Sequence, residues 1–228
     1  MTLPRVGRGL LAIDTATSTA VVAIGSVDGD LEAEDGWPAG HRHGEDLLTR
    51  VRDLLSARSV GIDELSGIVV GTGPGAFTGL RVGIATAKGI AHALSLPIAG
   101  VSSGEALIVA ATRDRPDVAP VLLLPAGPND TVLVRHDQPP KRLIGGPSPT
   151  LSEGEELVAV DLDGRAPLDA IARGESARRR FAAALVRLGA DRLADGGDDL
   201  ARLVPEYVTL PRGVAAQTGE VAWSRDPR

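Results

Sequence analysis

The sequence predicts an α/β protein, because short apolar runs typical of buried strands alternate with helical patterns along much of its 228 residues. Residues 10–14 and 21–25 are two such runs joined by a short polar turn, which is typical of a β-hairpin. A third run, residues 66–70, leads into a glycine-rich segment and then into a helical pattern. A hairpin followed by a strand–turn–helix unit indicates a sheet with helices packed against it.

The other elements are predicted in chain order from periodicity. Residues 30–37 can extend the hairpin as a third strand, and residues 45–58 form an amphipathic helix with acidic residues in its first turn. The remaining predicted elements are helices at 78–94, 102–112 and 176–188, and strands at 118–124, 131–135 and 157–160. The proline- and glycine-rich segment 125–150 is expected to form loops and edge strands.

The predicted helix 78–94 carries small residues on two faces, where they recur every four positions. One face consists of Gly79, Gly83, Ala87 and Ala91, and the other of Ala85, Gly89 and Ala93. Glycine inside a helix costs about 1 kcal/mol relative to alanine, so its repeated use indicates close packing. We expect one face to pack on the sheet and the other to meet a neighbouring helix, from this chain or from a second protein. The alternative is that both faces are internal.

The glycine-rich segment 71–81 reads GTGPGAFTGLR and lies where a strand passes into a helix. Its exposed amides suit either a bound anion or a closely packed chain. A Walker phosphate loop is excluded, since Phe77-Thr78-Gly79 stands where Gly-Lys-Ser/Thr is needed. A dinucleotide fingerprint is disfavoured, because Ala91-His92-Ala93 stands about 20 residues on, where an acidic residue should meet a ribose.

Several short motifs occur along residues 8–104. The first predicted strand ends in Ile13-Asp14-Thr15, the glycine-rich segment ends in Phe-Thr-Gly-Leu-Arg, and Gly100-Val101-Ser102 follows. Further matches lie at 43–45, 205–207 and 220–223. Together these motifs resemble those of the TsaB family, also called YeaZ.

The resemblance implies an actin-like ATPase fold (ASKHA, RNase H-like) with two lobes, of which the second is reduced. We expect an N-terminal lobe over 1–103, a smaller lobe over 104–204 and a mostly extended tail over 205–228. The resemblance also implies a non-catalytic scaffold that partners a TsaD-like paralogue and a TsaE-like ATPase. That complex would form N6-threonylcarbamoyladenosine beside the anticodon of tRNAs reading codons that begin with A. ATP, ADP and metal are expected on TsaD, and no cofactor on this chain.

The resemblance places a degenerate nucleotide pocket at the end of the first strand. Its expected members are Asp14, Thr15, Gly73 and Gly75. Ala16 replaces the glycine that usually lets a phosphate approach the first loop of an actin-like ATPase. The family's Asp-Ala-Arg, after the strand that ends at Leu124, is replaced here by Pro125-Ala126-Gly127. We therefore expect no catalytic residues in this chain.

The positions of the histidines argue against a metal site and against a catalytic serine–histidine–acid triad. His41 and His43 have no histidine four positions further on, so a metal-binding pair on a helix is missing. His92 and His136 are isolated, and no serine–histidine–acid set can be assembled from the sequence. We expect no metal site.

An association surface is expected on the two helices of the first lobe, as the resemblance implies. The expected interface residues are Leu47, Leu48, Val51, Leu55, Leu80, Val82, Ala85, Thr86, Gly89 and Ala93. We expect TsaD to bind there, and a second copy of the chain to bind there as a homodimer when TsaD is absent.

Composition limits the classes of partner. With 24 basic and 30 acidic residues the net charge is −6, and aromatic residues make up 2% of the chain, so contact with tRNA is expected to be indirect. The cluster Arg178-Arg179-Arg180, with Arg187 and Arg192, is interpreted as a solvated helix face. The chain has no cysteine and no apolar run of membrane-spanning length, and we expect it in the cytoplasm without membrane contact. Two alternative functions are a small-molecule kinase of the same fold and a self-associating module unrelated to tRNA.

Overall fold

Two β-sheets with helices on their faces make up the computed structural model. It describes residues 9–38, 43–113 and 115–208, and only the backbone of 43–45. The strands are β1 (Gly9–Asp14), β2 (Thr19–Gly25), β3 (Leu31–Pro38), β4 (Leu65–Gly71), β5 (Ile98–Val101), β6 (Ala119–Pro125), β7 (Thr131–Val134), β8 (Lys141–Leu143) and β9 (Glu155–Ala159). The helices are α1 (His43–Ala57), α2 (Phe77–Leu94), α3 (Ser103–Thr112), α4 (Leu168–Arg178) and α5 (Phe181–Ala194).

The first sheet has the strand order β3-β2-β1-β4-β5. The hairpin β1–β2 and the pair β2–β3 are antiparallel, whereas β4 runs parallel to β1 and β5 parallel to β4. Every residue of the central strand β1 is buried, because helices cover both faces of the sheet. The carboxyl ends of β1, β4 and β5 therefore meet at one edge, which is where parallel sheets place their sites.

The second sheet repeats the beginning of this order, as β8-β7-β6-β9. Its central strand β6 is antiparallel to β7 and parallel to β9, as β1 is to β2 and β4. In the part of the chain that the structure describes, the second sheet lacks a fifth strand and a helix between its third and fourth strands. The fold is thus the α/β actin-like architecture with a reduced second lobe, although the sequence itself shows no repeat.

Two helices are exchanged between the sheets. α3 follows β5 of the first sheet but packs on β6 of the second. α4 follows β9 and packs on it, whereas α5, the next helix, packs across all five strands of the first sheet. Their apolar residues form one cluster with both sheets, including Leu107, Leu185 and Val186. α1 and α2 cover the opposite face of the first sheet.

The structure confirms most elements that periodicity predicted in the first lobe. The strands β1 to β4 and the helices α1 and α2 begin and end within about two residues of the predicted ends, which is ordinary for helix and strand boundaries. The predicted edge strand in segment 125–150 exists as β8. None of the helices in the described ranges is long and apolar enough to cross a membrane.

One predicted helix is wrong. The sequence predicts a single helix at 176–188, but the chain forms α4 and α5 with a break at Arg179 and Arg180. The prediction of a solvated arginine face is also wrong for Arg178, whose side chain is 15% exposed and pairs with Asp161. Arg187 and Arg192 form exposed ion pairs with Asp191 and Asp198.

Some predicted features lie outside the described residues. They are the tail beyond Val208, including the motif at 220–223, the residue His41, and the side chains of the motif at 43–45. The lobe boundary at 103–104 coincides with the start of α3 and stays a prediction, since the exchanged helices join the two lobes in one core.

Candidate functional site

The carboxylate of Asp14 lies fully buried where β1, β4 and α3 meet. One of its oxygens accepts a hydrogen bond from the backbone N–H of Ala16 at 2.8 Å, and the other accepts one from the Ser103 hydroxyl. The Ser103 oxygen in turn accepts the N–H of Gly73 at 3.1 Å. Burial raises the pKa of Asp14 to about 6, against the opposing effect of these two hydrogen bonds.

The Asp14 carboxylate has room only because residue 71 is a glycine and carries no side chain. A Cβ atom at this position would lie 1.7 Å from a carboxylate oxygen of Asp14 and 2.7 Å from the Ser103 hydroxyl oxygen. The first glycine of the glycine-rich segment is therefore required by the packing of a neighbouring side chain. No bound anion is needed to explain it.

The turn that follows Asp14 is bonded to the glycine-rich segment. Ala76 donates its N–H to the carbonyl of Ala16 at 2.7 Å, and Thr15 donates its hydroxyl to the carbonyl of Gly79 at 2.7 Å. A Cβ at Gly75 would lie 2.1 Å from that same Ala16 oxygen. The backbone N–H groups of Ala16, Gly73 and Ala76 thus already have acceptors within the chain.

The structure therefore brings the predicted pocket residues together, but as an internally bonded cluster. Asp14 and Thr15 are buried, Gly73 is bonded to Ser103, and Gly75 is exposed above Ala16. Among the described residues, no group of three His, Asp or Glu side chains could hold a metal ion. In this arrangement the Asp14 carboxylate accepts two internal hydrogen bonds and is not exposed to solvent.

The segment 198–207 crosses the edge of the first sheet and covers the glycine-rich segment. Asp198 bridges to Ile98 of β5, and Glu206 donates its N–H to the Thr72 carbonyl at 2.8 Å. The Glu206 carboxylate accepts a hydrogen bond from Ser102 at 3.4 Å, and burial raises its pKa. The sequence motif at 205–207 and the glycine-rich motif are therefore in direct contact.

Three side chains of these motifs form a small stacked cluster. The rings of Phe77 and Tyr207 lie 5.1 Å apart between centroids. The Arg81 guanidinium lies 3.8 Å above the Phe77 ring and donates to the Tyr207 hydroxyl at 2.8 Å. The motifs Phe-Thr-Gly-Leu-Arg and Pro-Glu-Tyr are therefore in contact through these side chains. The spacing of the motifs in the sequence did not predict this contact.

The two small-residue faces of α2 have different surroundings. The face of Gly79, Gly83, Ala87 and Ala91 is buried against the first sheet. The face of Ala85, Gly89 and Ala93 is exposed, and a Cβ at Gly89 would meet no atom of the described residues within 4 Å. α1 packs beside α2 on the same side of the first sheet. We call the solvent-exposed side of these two helices the outer face and define it by Leu48, Ala85, Gly89 and Ala93.

The predicted interface residues divide between this face and the core. Leu48 is 57% exposed, and Val82 and Thr86 are half-buried beside the outer face. The assignment is wrong for four residues, because their side chains are buried in the core and cannot reach a partner in this conformation. These four are Leu47, Val51, Leu55 and Leu80. The apolar stripe of α1 at 47, 51 and 55 faces the sheet, whereas Leu48, at the flank of that stripe, is exposed.

Comparison with known proteins gives the family. A family model described as TsaD, tRNA N6-adenosine threonylcarbamoyltransferase, matches residues 38–175, more than half of the chain. The TsaB protein of Escherichia coli, whose name states tRNA threonylcarbamoyladenosine biosynthesis, is 37% identical over 94 residues. The chain belongs to the TsaB (YeaZ) branch of this family. The TsaB protein of Bacillus subtilis is 38% identical over 98 residues.

The extent of the similarity differs between sequence and structure. The aligned segments cover 41% and 43% of this chain, and 40% and 42% of the E. coli and B. subtilis TsaB proteins, so the chain spans less than half of these relatives. The structure of YeaZ from Pseudomonas aeruginosa superposes with a TM-score of 0.67 at 22% identity, covering 88% of this chain and 99% of that one. That likeness shows a shared fold over nearly the whole TsaB-family chain.

Several residues of this site could not be predicted from the sequence. Ser103 follows the Gly-Val-Ser motif by one residue, and its contact with Asp14 spans 89 positions. The contact of Ser18 with Asp161 spans 143 positions. No local pattern distinguishes this serine or this aspartate from ordinary loop residues, so only the fold shows that they meet.

Proposed function

We propose that this chain is a non-catalytic subunit that pairs with a TsaD-like protein in the formation of threonylcarbamoyladenosine in tRNA. The names of the TsaB relatives and of the family model support this role. The proposed partners also include a TsaE-like ATPase, and the proposed place of action is the cytoplasm. ATP, ADP and metal would bind to the TsaD-like partner, which would also make most contacts with tRNA.

The observation that carries this proposal is the outer face of α1 and α2. A row of alanine and glycine on an exposed helix lets the backbone of another helix approach closely. None of the residues that the structure describes packs against Gly89 in the interior of α2, and glycine there costs about 1 kcal/mol relative to alanine. The exposed Leu48 adds apolar area to the same surface. A partner helix from TsaD, or from a second copy of the chain when TsaD is absent, suits this surface.

The state of Asp14 supports the non-catalytic part of the proposal. An actin-like ATPase uses the corresponding carboxylate to organise a metal ion, whereas both Asp14 oxygens accept hydrogen bonds within the chain. The net charge of −6 further favours a partner as the main tRNA-binding surface.

Replacing Gly89 with leucine is expected to weaken association with TsaD by about tenfold to a hundredfold. Overpacking at a close helix contact costs about 1–3 kcal/mol, which corresponds to this change in the dissociation constant. The isolated chain should melt no lower, because position 89 opens to solvent and leucine favours the helix. Titration calorimetry and thermal melting of the same samples measure the two effects.

Gly89→Ala is the matched control, because it improves helix propensity but adds a single methyl group to the surface. Ala85→Leu should behave like Gly89→Leu. Unchanged affinity for TsaD in both leucine variants would refute the outer face as the interface. A lower melting temperature with unchanged pairing would show instead that this face packs within the chain.

Loss of the protein from cells is expected to remove threonylcarbamoyladenosine from tRNAs that read codons beginning with A. Synthesis of the threonylcarbamoyl donor should continue, because the proposed scaffold acts through TsaD at the transfer step. Mass spectrometry of tRNA nucleosides measures the modified base, and the Gly89→Ala variant should restore it better than Gly89→Leu. Normal levels of the base after depletion would overturn the proposed function.

The two alternatives predict different outcomes in the same assays. A small-molecule kinase of this fold would bind ATP and magnesium tightly and convert ATP to ADP, which calorimetry and an assay of ADP formation detect. A self-associating module unrelated to tRNA would form a homodimer through the outer face, yet leave the modified base unchanged on depletion.

A further inference from the structure

A carboxylate of the second lobe is held by the turn between β1 and β2. Asp161 follows β9, and one of its oxygens accepts the backbone N–H of Ser18 at 2.7 Å. Its other oxygen accepts both the Ser18 hydroxyl and the Arg178 guanidinium. Three donors from two lobes therefore surround one carboxylate.

The arrangement around this carboxylate is largely buried and internally supported. The side chains of Asp161 and Arg178 are only 12% and 15% exposed. Arg178 also donates to the Thr17 hydroxyl oxygen at 3.3 Å and lies 3.6 Å from the exposed Glu175 carboxylate. Ser18 itself is exposed, so the donors can be reached from solvent.

The backbone of Asp161 is held in an unusual conformation. Its φ is +60°, in the left-handed region that favours glycine and, among other residues, asparagine and aspartate. Such conformations persist where surrounding contacts stabilise them, and here the contacts of the carboxylate supply them. The position of Asp161 thus depends on what its side chain binds.

We propose that Ser18 and Arg178 form an oxyanion-binding site that the chain's own Asp161 occupies. A backbone N–H, a hydroxyl and a guanidinium directed at one point are donors that bind phosphate or carboxylate groups well. Thr17 holds the guanidinium in position. Because Asp161 and Ser18 belong to different lobes, the internal carboxylate also ties the lobes together at this edge. An external oxyanion of phosphate or carboxylate type competes with it. This inference is independent of the pairing with TsaD.

The test removes the internal carboxylate by mutation and supplies phosphate or formate from solution. Asp161→Gly is the suitable variant, since glycine keeps the positive φ without strain. Its melting temperature is measured in phosphate, formate and chloride at equal ionic strength. We expect phosphate or formate to raise it by about 3 °C more than chloride does, and to leave the wild-type protein unaffected. The comparison of the two anions shows which of the two groups the site prefers.

Two further variants make the result specific. Asp163→Gly removes an equal charge from an exposed position two residues away and should show no anion response. Adding Arg178→Gln to Asp161→Gly should abolish the response, because the guanidinium is the charged donor. If the glycine variant does not fold in any of the three salts, Asp161→Asn, which also tolerates this backbone conformation, is measured in its place.

Two results would overturn the proposal. One is a folded Asp161 variant whose melting temperature is the same in phosphate, formate and chloride. The other is an anion response that survives the loss of Arg178 or appears equally in Asp163→Gly, which would show general screening of surface charge.

Discussion

Replacing Gly71 with alanine is expected to destabilise the protein by roughly 3 kcal/mol or more. The new methyl group would lie 1.7 Å from a carboxylate oxygen of Asp14, which is fully buried and held by Ser103 and Ala16. The carboxylate would have to leave its two donors, or β1 and β4 would have to separate. Equilibrium unfolding in urea measures the change.

The same exchange at Gly89 gives a control of opposite sign. Gly89→Ala lies in an exposed turn of α2, so it should stabilise the chain by up to about 1 kcal/mol through helix propensity. If Gly71→Ala had an effect as small as Gly89→Ala, Asp14 would have room to move, and the description of a closely packed cluster would be incorrect.

The stability of the protein is expected to fall by on the order of 3 kcal/mol between pH 4 and pH 7 through Asp14 alone. Its pKa is about 6 in the folded chain and about 4 in the unfolded chain, and one pKa unit corresponds to about 1.4 kcal/mol. Below the lower value both states are protonated and burial carries no penalty. As the pH rises through 6 the folded carboxyl ionises in a buried site, and the stabilisation is lost.

Asp14→Asn isolates this contribution, because asparagine keeps the shape and does not titrate. The difference in unfolding free energy between variant and wild type should move in favour of the variant by on the order of 3 kcal/mol between pH 4 and pH 7. Asp163→Asn, an exposed change of equal charge, should show little change in its difference over the same range. If the difference in unfolding free energy between Asp14→Asn and the wild type did not vary with pH, a raised pKa of Asp14 would be excluded.

The first lobe was predictable because its elements carry strong local signals. The stripe of α1 at 47, 51 and 55 has helical spacing, and the buried run of β4 ends at a glycine-rich turn. The two small-residue faces of α2 were also visible, although only the structure shows that Gly83 faces the sheet and Gly89 faces solvent.

The second lobe was harder to predict because its packing depends on small residues. α4 buries Ala170, Gly174 and Ala177 and no large apolar side chain, so periodicity gives no helix there. Gly174 is needed because a Cβ would lie 1.8 Å from the Ala159 carbonyl oxygen of β9, a contact invisible in the sequence. In the first lobe, the strand β5 was not predicted, because its four residues are too few for a clear pattern.

The candidate site was predictable in membership but not in arrangement. The resemblance to the TsaB family grouped Asp14 and Thr15 with glycines of the glycine-rich segment, and the structure shows that the strands they follow, β1 and β4, are neighbours. The direction of the Asp14 carboxylate depends on Ser103, which a different element supplies. Hydrogen bonds between residues so far apart in the sequence produce no periodic pattern from which they could be predicted.

The exchange of α3 and α5 between the sheets has a consequence for synthesis on the ribosome. The five strands of the first sheet are complete at Val101, but α5, which covers one face of that sheet, ends at Ala194. A nascent chain therefore emerges with its central strands uncovered on that side while more than ninety further residues are translated. During that interval the apolar surface of β1 and β4 on that side is open to chaperones, and it is closed only when α5 has left the exit tunnel.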